Sequence, residues 1–421
     1  MTTLIVGGGL LGLSTAVALL EHGEDVRVLE ALDGVGLETS YANGGLITAS
    51  MSEPWNGPGV YRHLAASLFN PHSPMKLRLR AMPSLFSWGI GFLRNSMPRR
   101  YFAACHDNYL LARYSQEKTL ELTEERHLQY EAAGGGSLSV FRKHGDISGQ
   151  LAVATRLQDL GMSFHQLSAD ETVAKEPALT PIRDQLTAGI WYPDDVRGDA
   201  HLFCRELARL IQEDGGAVET GVSVSNVIVR NGTVTGVDTN RGVMSADRLV
   251  IAAGTRSPAM LRTTGQSIPV KPAKGYSVTV DARDIEGVPQ IPIVDDEMHA
   301  AIAPLGSRLR AVGTAEFAGF DKKIPQSRID NLFTLLELLL PDVAQQVDRE
   351  KAEPWAGLRP MSNDGRPVIG PAKVKGLFIN TGHGPLGWTM AMGSGHLLAD
   401  QILGRSPAID FRPYLPGRRK R

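Results

Sequence analysis

The chain contains little cysteine and shows no excess of charge of either sign. Cys105 and Cys204 are the only cysteines in 421 residues, too few for a disulfide framework, which favours a reducing, intracellular setting. Lys and Arg together number 44 and Asp and Glu 45, so the formal net charge is −1. A chain without a global positive field is not predicted to bind nucleic acid.

Long apolar runs and the short motifs of metal-dependent or nucleophilic enzymes are also scarce. Residues 4–20 have the length of a signal-peptide core, but no Lys or Arg precedes them, so a cytoplasmic location is expected. No other stretch approaches the roughly 20 apolar residues that a spanning helix requires. The sequence has no HExxH motif, no CxxC pair and no GxSxG elbow, so we predict neither a metal site nor a catalytic nucleophile.

The N-terminus does contain a glycine-rich loop between an apolar strand, residues 4–6, and a helix, residues 11–22. The loop reads GGGLLG from position 7 and matches the GxGxxG pattern of dinucleotide-binding folds. In that pattern Gly7 permits the tight turn, Gly9 the approach of a pyrophosphate, and Gly12 close packing of the helix on the strand. The helix N-terminus then offers unpaired N–H groups to phosphates.

Glu30 ends a second predicted strand, residues 26–30. A carboxylate there accepts hydrogen bonds from ribose hydroxyls and argues against the 2′-phosphate of NADP. The loop alone does not distinguish NAD from FAD, but two later segments favour FAD. Residues 249–255 predict a buried strand that returns to the nucleotide, and residues 377–392 predict a strand, a glycine turn and a helix from near Gly387. The positive end of that helix is expected to face the flavin.

The remaining secondary structure is predicted from periodicity and turn residues. Residues 39–59 are expected to form a loop, and residues 75–131 to be mostly helical with breaks at Pro83 and Pro98. Further helices are expected at 147–160, 201–213 and 328–340. Strands are expected at 270–280 and 300–313, and a hairpin at 227–237 turns at Asn231-Gly232.

Several segments in a fixed order carry a family resemblance. They are VGGGLLG at 6–12, ETSYANGGLI at 38–47, EPWNGPGV at 53–60, KGYS at 274–277, GLRPM at 357–361 and NTGHGPLGWTM at 380–390. On these segments the chain resembles the D-amino acid oxidase superfamily, and within it the small bacterial D-amino acid dehydrogenases that carry flavin. The resemblance extends over the whole chain.

The resemblance implies an α/β (α+β) fold. A glutathione-reductase-type, Rossmann-like FAD-binding domain, residues 1–50, 190–265 and 350–421, would be interleaved with a substrate domain, residues 51–189 and 266–349. The substrate domain is expected to contain a mixed or antiparallel β-sheet.

The resemblance also implies noncovalent FAD and a small amino acid as substrate. A D-amino acid would lose a hydride from Cα to flavin N5, and the imine would hydrolyse to a 2-oxo acid and ammonia. A quinone or the respiratory chain would accept the electrons. Dehydrogenases of D-proline, D-hydroxyproline and other secondary amines, and oxidases of the glycine type that use O₂, share these motifs and remain alternatives.

Five side chains are candidates for the chemistry. Arg359 offers a bidentate fork for the substrate carboxylate, although an Arg in a structural ion pair would look the same. Tyr276 can hydrogen-bond the carboxylate or simply pack in a strand, and Tyr41 can cover the substrate or pack in its loop. His383 has a side chain suited to accept the ammonium proton, or it can bond the flavin or the backbone. Lys274 is expected either near flavin N5 or at a strand edge.

The resemblance and the glycine pattern together assign the cofactor site. Cofactor-binding residues are predicted at Gly7, Gly9, Leu10, Gly12, Glu30, Ser40, Asn43, Gly44, Gly45, Val224, Ala252, Gly254, Gly382, Gly384, Gly387, Trp388 and Thr389. The chain departs from the family pattern at Gly45, at Pro385, between Asp194 and Asp199, and at Met298-His299. The last two departures are expected on the substrate side and leave the choice of substrate open.

Residues 75–101 combine basic, apolar and aromatic side chains without any acidic residue. Such a segment can lie on an anionic membrane surface, which would suit an enzyme that reduces quinone. It can also form a helical flank of the substrate domain, because Pro83 and Pro98 limit the length of any helix. A peripheral position on the inner face of the plasma membrane is therefore an expectation.

Overall fold

A computed structural model of the chain describes residues 1–61, 75–143 and 145–418. The α-helices are α1 (Leu10–Leu20), α2 (Met82–Asn95), α3 (Pro98–Arg126), α4 (Ser148–Gln158), α5 (Ala169–Lys175), α6 (Ala200–Glu213), α7 (Ser257–Arg262), α8 (Gln326–Leu339), α9 (Pro341–Ala344) and α10 (Ala391–Leu403). None of these helices is long and apolar enough to cross a membrane.

The strands alternate with the helices along the chain. They are β1 (Thr2–Val6), β2 (Asp25–Leu29), β3 (Leu46–Ile47), β4 (Met75–Leu77), β5 (Ser137–Arg142), β6 (His165–Ser168), β7 (Leu186–Tyr192), β8 (Val196–Arg197), β9 (Ala217–Glu219), β10 (Val224–Arg230), β11 (Thr233–Thr239), β12 (Gly242–Ser245), β13 (Arg248–Ile251), β14 (Val270–Asp281), β15 (Ile293–Asp295), β16 (Ala300–Leu305), β17 (Arg308–Phe317), β18 (Glu353–Ser362), β19 (Val368–Pro371) and β20 (Leu377–Thr381).

A six-stranded sheet in the order β19-β20-β13-β1-β2-β9 contains the N-terminal βαβ unit. All its neighbours are parallel except the edge pair β19–β20. Helix α1 is apolar on nearly every side and is buried between this sheet, α10 and α6. The chain leaves β1 toward β2 on one side and returns through β13 on the other. Loops that diverge in this way open a crevice at the carboxyl ends of the strands.

A second, nine-stranded sheet follows the order β18-β14-β17-β16-β15-β5-β7-β6, with β4 beside β17. It is mostly antiparallel, with parallel pairs at β15–β5 and β17–β4. Helix α8 packs its buried apolar side against one face of this sheet. A parallel α/β sheet next to a mixed sheet confirms the predicted fold class.

Most of the long predicted elements are confirmed within two residues. Helices α1, α4, α6 and α8 and strand β14 lie where periodicity placed them. The hairpin β10–β11 also forms, with Asn231 at φ 51° and Gly232 at φ 76°. Two positive φ values in a two-residue turn match the right-handed twist of the strands, which is why Asn-Gly predicts this turn.

Other predictions were wrong in detail. Residues 300–313 form two antiparallel strands, β16 and β17, because Gly306 turns the chain with φ 55°. The helix expected from Gly387 begins at Ala391, after a 3₁₀ turn at Gly384–Leu386. The strands β5, β6, β7, β15, β18 and β19 were not predicted, since single-sequence periodicity is weak in short strands.

The predicted domain boundaries stay a prediction, with two differences in sheet membership. Strand β18 lies within the segment 350–421 expected to belong to the FAD domain, but it pairs with β14 in the nine-stranded sheet. Strand β7 crosses the expected boundary at residue 190 and also belongs to that sheet. By hydrogen-bond pairing, β18 and the whole of β7 thus belong with the predicted substrate domain.

Candidate active site

One cavity of about 1220 Å³ lies between the two sheets and is lined by residues from both. It exceeds the roughly 300–1,000 Å³ typical of small-molecule pockets, so it can hold a dinucleotide and a substrate together. One end is formed by the glycine loop after β1 and by the ends of β2 and β13. The other end is formed by β14, β18 and the segments around Glu53 and Asp296.

The glycine loop is packed so closely that side chains are excluded from it. A Cβ on Gly12 would lie 1.9 Å from the carbonyl oxygen of Gly7. Gly7 itself has φ +118°, and a Cβ there would lie 2.6 Å from the carbonyl oxygen of Ala252. The helix N-terminus has no side-chain cap from Gly9, and of its first N–H groups the Leu10 N–H makes a long hydrogen bond to Ser40 Oγ at 3.4 Å. The N–H groups of the following residues can therefore face a phosphate at the cavity.

Glu30 stands at the end of β2 and lines the same end of the cavity. Its Oε2 accepts a hydrogen bond from the Gly8 N–H at 2.7 Å, and its Oε1 accepts one from the Leu32 N–H at 2.9 Å. Each carboxylate oxygen keeps a further lone pair for a ribose hydroxyl. The geometry is compatible with the predicted role of Glu30.

The opposite wall of the cofactor region is made by the loop at residues 43–45 and the segment 384–389. The Asn43 side chain accepts from the Gly45 N–H at 3.0 Å, and the Thr48 N–H donates to Thr389 Oγ1 at 3.1 Å. Arg310 donates to the Asn43 carbonyl at 3.2 Å and is itself paired with Asp199 at 3.2 Å. Arg310 was missed from the sequence, because nothing local to β17 indicates that it supports a loop 267 residues away.

These residues fit FAD. The tight glycine cradle, the uncapped helix and Glu30 suit the adenosine diphosphate half. Within the described residues, the buried Trp388 Nε1 and His383 Nδ1 have no hydrogen-bond partner, and both residues line the cavity. Buried polar atoms are normally hydrogen-bonded, so these two atoms indicate that a ligand supplies their partners.

Most predicted cofactor residues line the cavity, and five of the predicted site residues, including Lys274, do not. Gly12 and Gly382 lie behind the wall, and Gly45 supports its neighbours. Tyr41 is 40% exposed and packs on His201, with ring centroids 5.0 Å apart. In this conformation Tyr41 does not cover the cavity, because its ring is turned toward α6.

Arg359 on β18 lines the substrate end of the cavity. Within the described residues no carboxylate lies within ion-pair distance of its guanidinium, which donates to the Thr314 carbonyl at 3.2 Å and lies 5.2 Å from the Trp55 ring centroid. Burial lowers the pKa of Arg359 to about 10, which leaves the group charged at neutral pH. A half-buried cation at a cavity wall, without an anion beside it among the described residues, fits a ligand carboxylate.

Two glycines that face each other on β14 and β18 make room for this arrangement. Gly275 pairs with Gly357. A Cβ on Gly275 would lie 2.1 Å from Arg359 Nη1, and a Cβ on Gly357 would lie 2.1 Å from the Trp355 ring. The missing side chains therefore allow Arg359 and Trp355 to lie flat over the backbone of the two strands.

Tyr276, expected either to hydrogen-bond the substrate carboxylate or to pack in a strand, lies in strand β14. Its ring lines the cavity, but its hydroxyl donates to the Glu316 carboxylate. The Glu316 carboxylate also forms an ion pair with Arg78, and its Oε2 lies 3.9 Å from Lys274 Nζ. Lys274 does not line the cavity, because its ammonium donates to the Lys323 carbonyl at 2.9 Å.

His383 lines the cavity with its ring held by Ser394, whose Oγ is 2.8 Å from Nε2. Burial lowers the pKa of His383 to about 3, so the imidazole is neutral at physiological pH. A group with so low a pKa is a weak base, which favours the alternative role of His383 as a hydrogen-bonding partner of the cofactor.

Three carboxyl groups near the substrate end were not assigned from the sequence: Glu53, Asp195 and Asp296. Burial raises the pKa of Glu53 to about 7 and that of Asp195 to about 6, and it also raises the pKa of Asp296. Glu53 lies in the EPWNGPGV segment, and Asp195 and His299 lie at the two departures from the family pattern. Those departures were the only indication in the sequence that this region differs from the family pattern, but they do not show that the three carboxyl groups come together.

Comparison with known proteins also indicates an oxidoreductase that depends on FAD. The model of the DAO family, described as FAD dependent oxidoreductase, matches residues 2–401. The chain is 36% identical over 410 residues to a D-amino acid dehydrogenase of Bradyrhizobium diazoefficiens and 38% identical to one of Methylobacterium nodulans, with 97% of each chain covered in both pairs.

A solved structure agrees in fold at lower identity. Glycine oxidase from Geobacillus kaustophilus superposes with a TM-score of 0.75 and 22% identity, covering 99% of this chain and 98% of the oxidase. The family match confirms the predicted resemblance and the predicted FAD cofactor. The chain belongs to the DAO family of FAD dependent oxidoreductases.

Proposed function

We propose that this protein oxidises a D-amino acid to a 2-oxo acid and ammonia and acts as a dehydrogenase. The observation that carries the proposal is Arg359, a half-buried cation without an ion-pair partner among the described residues, in the same cavity as a dinucleotide cradle. The names of the relatives, which are D-amino acid dehydrogenases over nearly the full length of both chains, support the D configuration.

Arg359 would bind the substrate carboxylate in a bidentate pair and so orient Cα toward the cofactor. The rings of Tyr276, Trp55 and Trp355 line this part of the cavity and would exclude water from the bound substrate. The chemistry that bound FAD supplies is the acceptance at N5 of the hydride leaving Cα. The substrate imine would then hydrolyse after release.

A first experiment is an anaerobic titration of the FAD-loaded protein with paired D- and L-amino acids and D- and L-proline, followed in the visible spectrum. Bleaching of the flavin band by D-isomers alone is the expected result. Bleaching only by proline or other secondary amines would replace the proposal with the secondary-amine alternative. Rapid reoxidation of the bleached protein by O₂ would identify an oxidase instead of a dehydrogenase.

We also propose that α2 brings the enzyme to an anionic membrane surface, where a quinone would accept the electrons. One side of α2 is buried through Leu85, Trp88 and Phe92. The large apolar side chains of Met82, Phe86, Ile90 and Leu93 also line its solvent side, and Met97 follows its C-terminal end; all five are 43–74% exposed. Their spacing of three or four residues places them on one exposed face.

Basic residues lie beside this apolar face. Arg80, Arg94 and Arg99 are exposed, and Arg100 is half-buried. A surface that combines exposed Phe and Ile with Arg side chains matches the chemistry of lipid headgroups over acyl chains. We expect the protein to sediment with vesicles containing phosphatidylglycerol at low salt and the variant Phe86→Ser/Ile90→Ser to remain in the supernatant. Equal sedimentation of both proteins, or none with the original chain, would contradict the proposal.

A further inference from the structure

The substrate end of the cavity contains more carboxyl groups than the mechanism uses. Glu53, Asp296 and Glu297 line it, and Asp195 lies next to Glu53. Asp195 accepts hydrogen bonds from the Ser50 and Ser137 hydroxyls at 2.5 and 2.6 Å. Glu297 is 3.2 Å from Arg142, and Asp296 accepts from the Gln150 amide at 2.9 Å. Each of these three therefore has a polar partner.

Glu53 is different, because within the described residues no basic side chain lies within ion-pair distance of it. The groups that act on its carboxyl are its own backbone N–H, Asp296 and Asp195. Glu53 in turn acts on Tyr101, Cys105 and Tyr192, which are all acids. A carboxyl group in such surroundings either stays protonated or requires a cation from outside the chain.

The position of Asp296, which acts on Glu53, indicates how long a ligand must be to reach from this region to Arg359. Arg359 is on β18, at one edge of the nine-stranded sheet, and Asp296 follows β15, four strands away. Neighbouring strands are about 4.8 Å apart, so the two backbones are on the order of 19 Å apart. The long Arg359 side chain spans part of this separation. Burial alone shifts the pKa of Arg359, with no contribution from Glu53.

We propose that Glu53, with Asp296 beside it, binds the cationic end of the substrate side chain. The preferred substrate would then be a D-amino acid with a long side chain ending in an ammonium or guanidinium group. The inference rests on the proposed function, because Arg359 must hold the α-carboxylate at the other end. A metal ion is a poorer occupant, since no group of three His, Cys, Asp or Glu residues in the described ranges could hold one.

The test compares D-lysine with D-norleucine, which has the same chain without the terminal ammonium. The FAD-loaded protein is reduced anaerobically by each substrate, and kcat/KM is measured with an artificial acceptor. We expect D-lysine to be preferred by about 10- to 100-fold, the usual range for a hydrogen bond to a charged group. In Glu53→Gln this preference should disappear through a higher KM for D-lysine, while D-norleucine is oxidised as before.

A matched control is Glu38→Gln. Glu38 also lines the cavity, but it is already paired with Lys322 and Arg256, so removing its charge should leave the D-lysine preference unchanged. An equal fall in kcat for both substrates in Glu53→Gln would overturn the inference and would assign Glu53 to the reaction itself. A preference for D-norleucine in the original chain would also overturn it.

Binding without turnover gives a second measurement that does not depend on catalysis. 6-Aminohexanoate and hexanoate both carry a carboxylate for Arg359, and only the former carries the distal ammonium. Calorimetry should show 6-aminohexanoate binding more tightly, and Glu53→Gln should remove the difference. If D-alanine bleaches the flavin but neither calorimetry nor kinetics shows a cation preference, the inference fails and the proposed function stands. If no D-amino acid bleaches the flavin, both fail.

Discussion

The two ends of the cavity are built in different ways. The nucleotide end comes mainly from one continuous βαβ unit, in which the loop from Gly7 to Gly12 and the carboxylate of Glu30 lie within 30 residues of the N-terminus, with the end of β13 beside it. The substrate end comes from four separated segments, around Glu53, Tyr276, Asp296 and Arg359. Backbone geometry therefore determines the first end, and side chains held by distant partners determine the second.

This difference explains how one fold can serve several substrates. The nucleotide end cannot accept a side chain at Gly12 without moving the backbone of Gly7. At the substrate end, single side chains such as Glu53 can change without disturbing a strand. Among proteins with this fold, substrate specificity is thus expected to change through side chains at the substrate end, while the backbone packing at the nucleotide end is kept.

The largest effect is expected from Gly12→Ala, which tests whether the nucleotide end depends on backbone packing. The new Cβ would lie 1.9 Å from the Gly7 carbonyl oxygen, so the cost should exceed the roughly 1–3 kcal/mol typical of overpacking. We expect loss of bound FAD, measured as the ratio of visible to ultraviolet absorbance, and a lower unfolding temperature of the protein without FAD.

Gly9→Ala is the control for this change. Its Cβ would meet only Ser40 Oγ, at 3.5 Å, which is an ordinary contact. The variant should therefore keep the unfolding temperature of the protein without FAD and lose FAD affinity alone, because the methyl group would stand where a phosphate approaches. Equal stability of Gly12→Ala and Gly9→Ala would contradict the packing argument.

At the substrate end, Arg359→Ala should lower kcat/KM for a D-amino acid by roughly 100-fold or more. The bidentate, charge-assisted pair with the substrate carboxylate is lost in a buried site. Arg359→Lys should recover only part of the activity, because an ammonium lacks the planar fork. Added guanidine should restore turnover of the Ala variant, and an unchanged KM in that variant would remove Arg359 from the substrate site.

The same contrast explains what the sequence could predict. The glycine loop and Glu30 were placed correctly in the fold because their motif is local and its context, a strand before and a helix after, is visible in the sequence. The hydrogen-bond partner of the Tyr276 hydroxyl could not be predicted, because that partner, Glu316, is 40 residues away in the sequence. The lack of a cationic partner for Glu53 among the described residues could not be predicted either, since it depends on which side chains meet in the assembled cavity.

A smaller effect concerns the pH dependence of the cation preference. The pKa of Glu53 is raised to about 7 by burial and by Asp296 and Asp195, so its charge forms as the pH rises through about 7. The ratio of kcat/KM for D-lysine to that for D-norleucine should therefore increase roughly tenfold from pH 6 to pH 8.

Other titratable groups in contact with this part of the cavity set the control for the pH profile. Tyr101, Cys105 and Tyr192 have raised pKa values and stay neutral over this range. Asp195, with its pKa raised to about 6, also changes charge within it, and burial raises the pKa of Asp296. The Glu53→Gln variant keeps all of these groups. A flat ratio in that variant assigns the pH dependence to Glu53, and an unchanged slope would assign it to Asp195 or Asp296.

The smallest effect is expected from Glu30→Gln, which tests whether charge matters at an end built mainly from backbone. The amide oxygen can accept only one of the two N–H donors, from Gly8 and Leu32, that the carboxylate now accepts. We expect the Kd for FAD to rise about two- to tenfold, the range of one ordinary hydrogen bond. Glu219→Gln is the control, because Glu219 ends the neighbouring strand β9 and is paired with Arg27 outside the cavity. A loss of FAD in Glu30→Gln as complete as in Gly12→Ala would mean that a side chain, and not the backbone, dominates the nucleotide end.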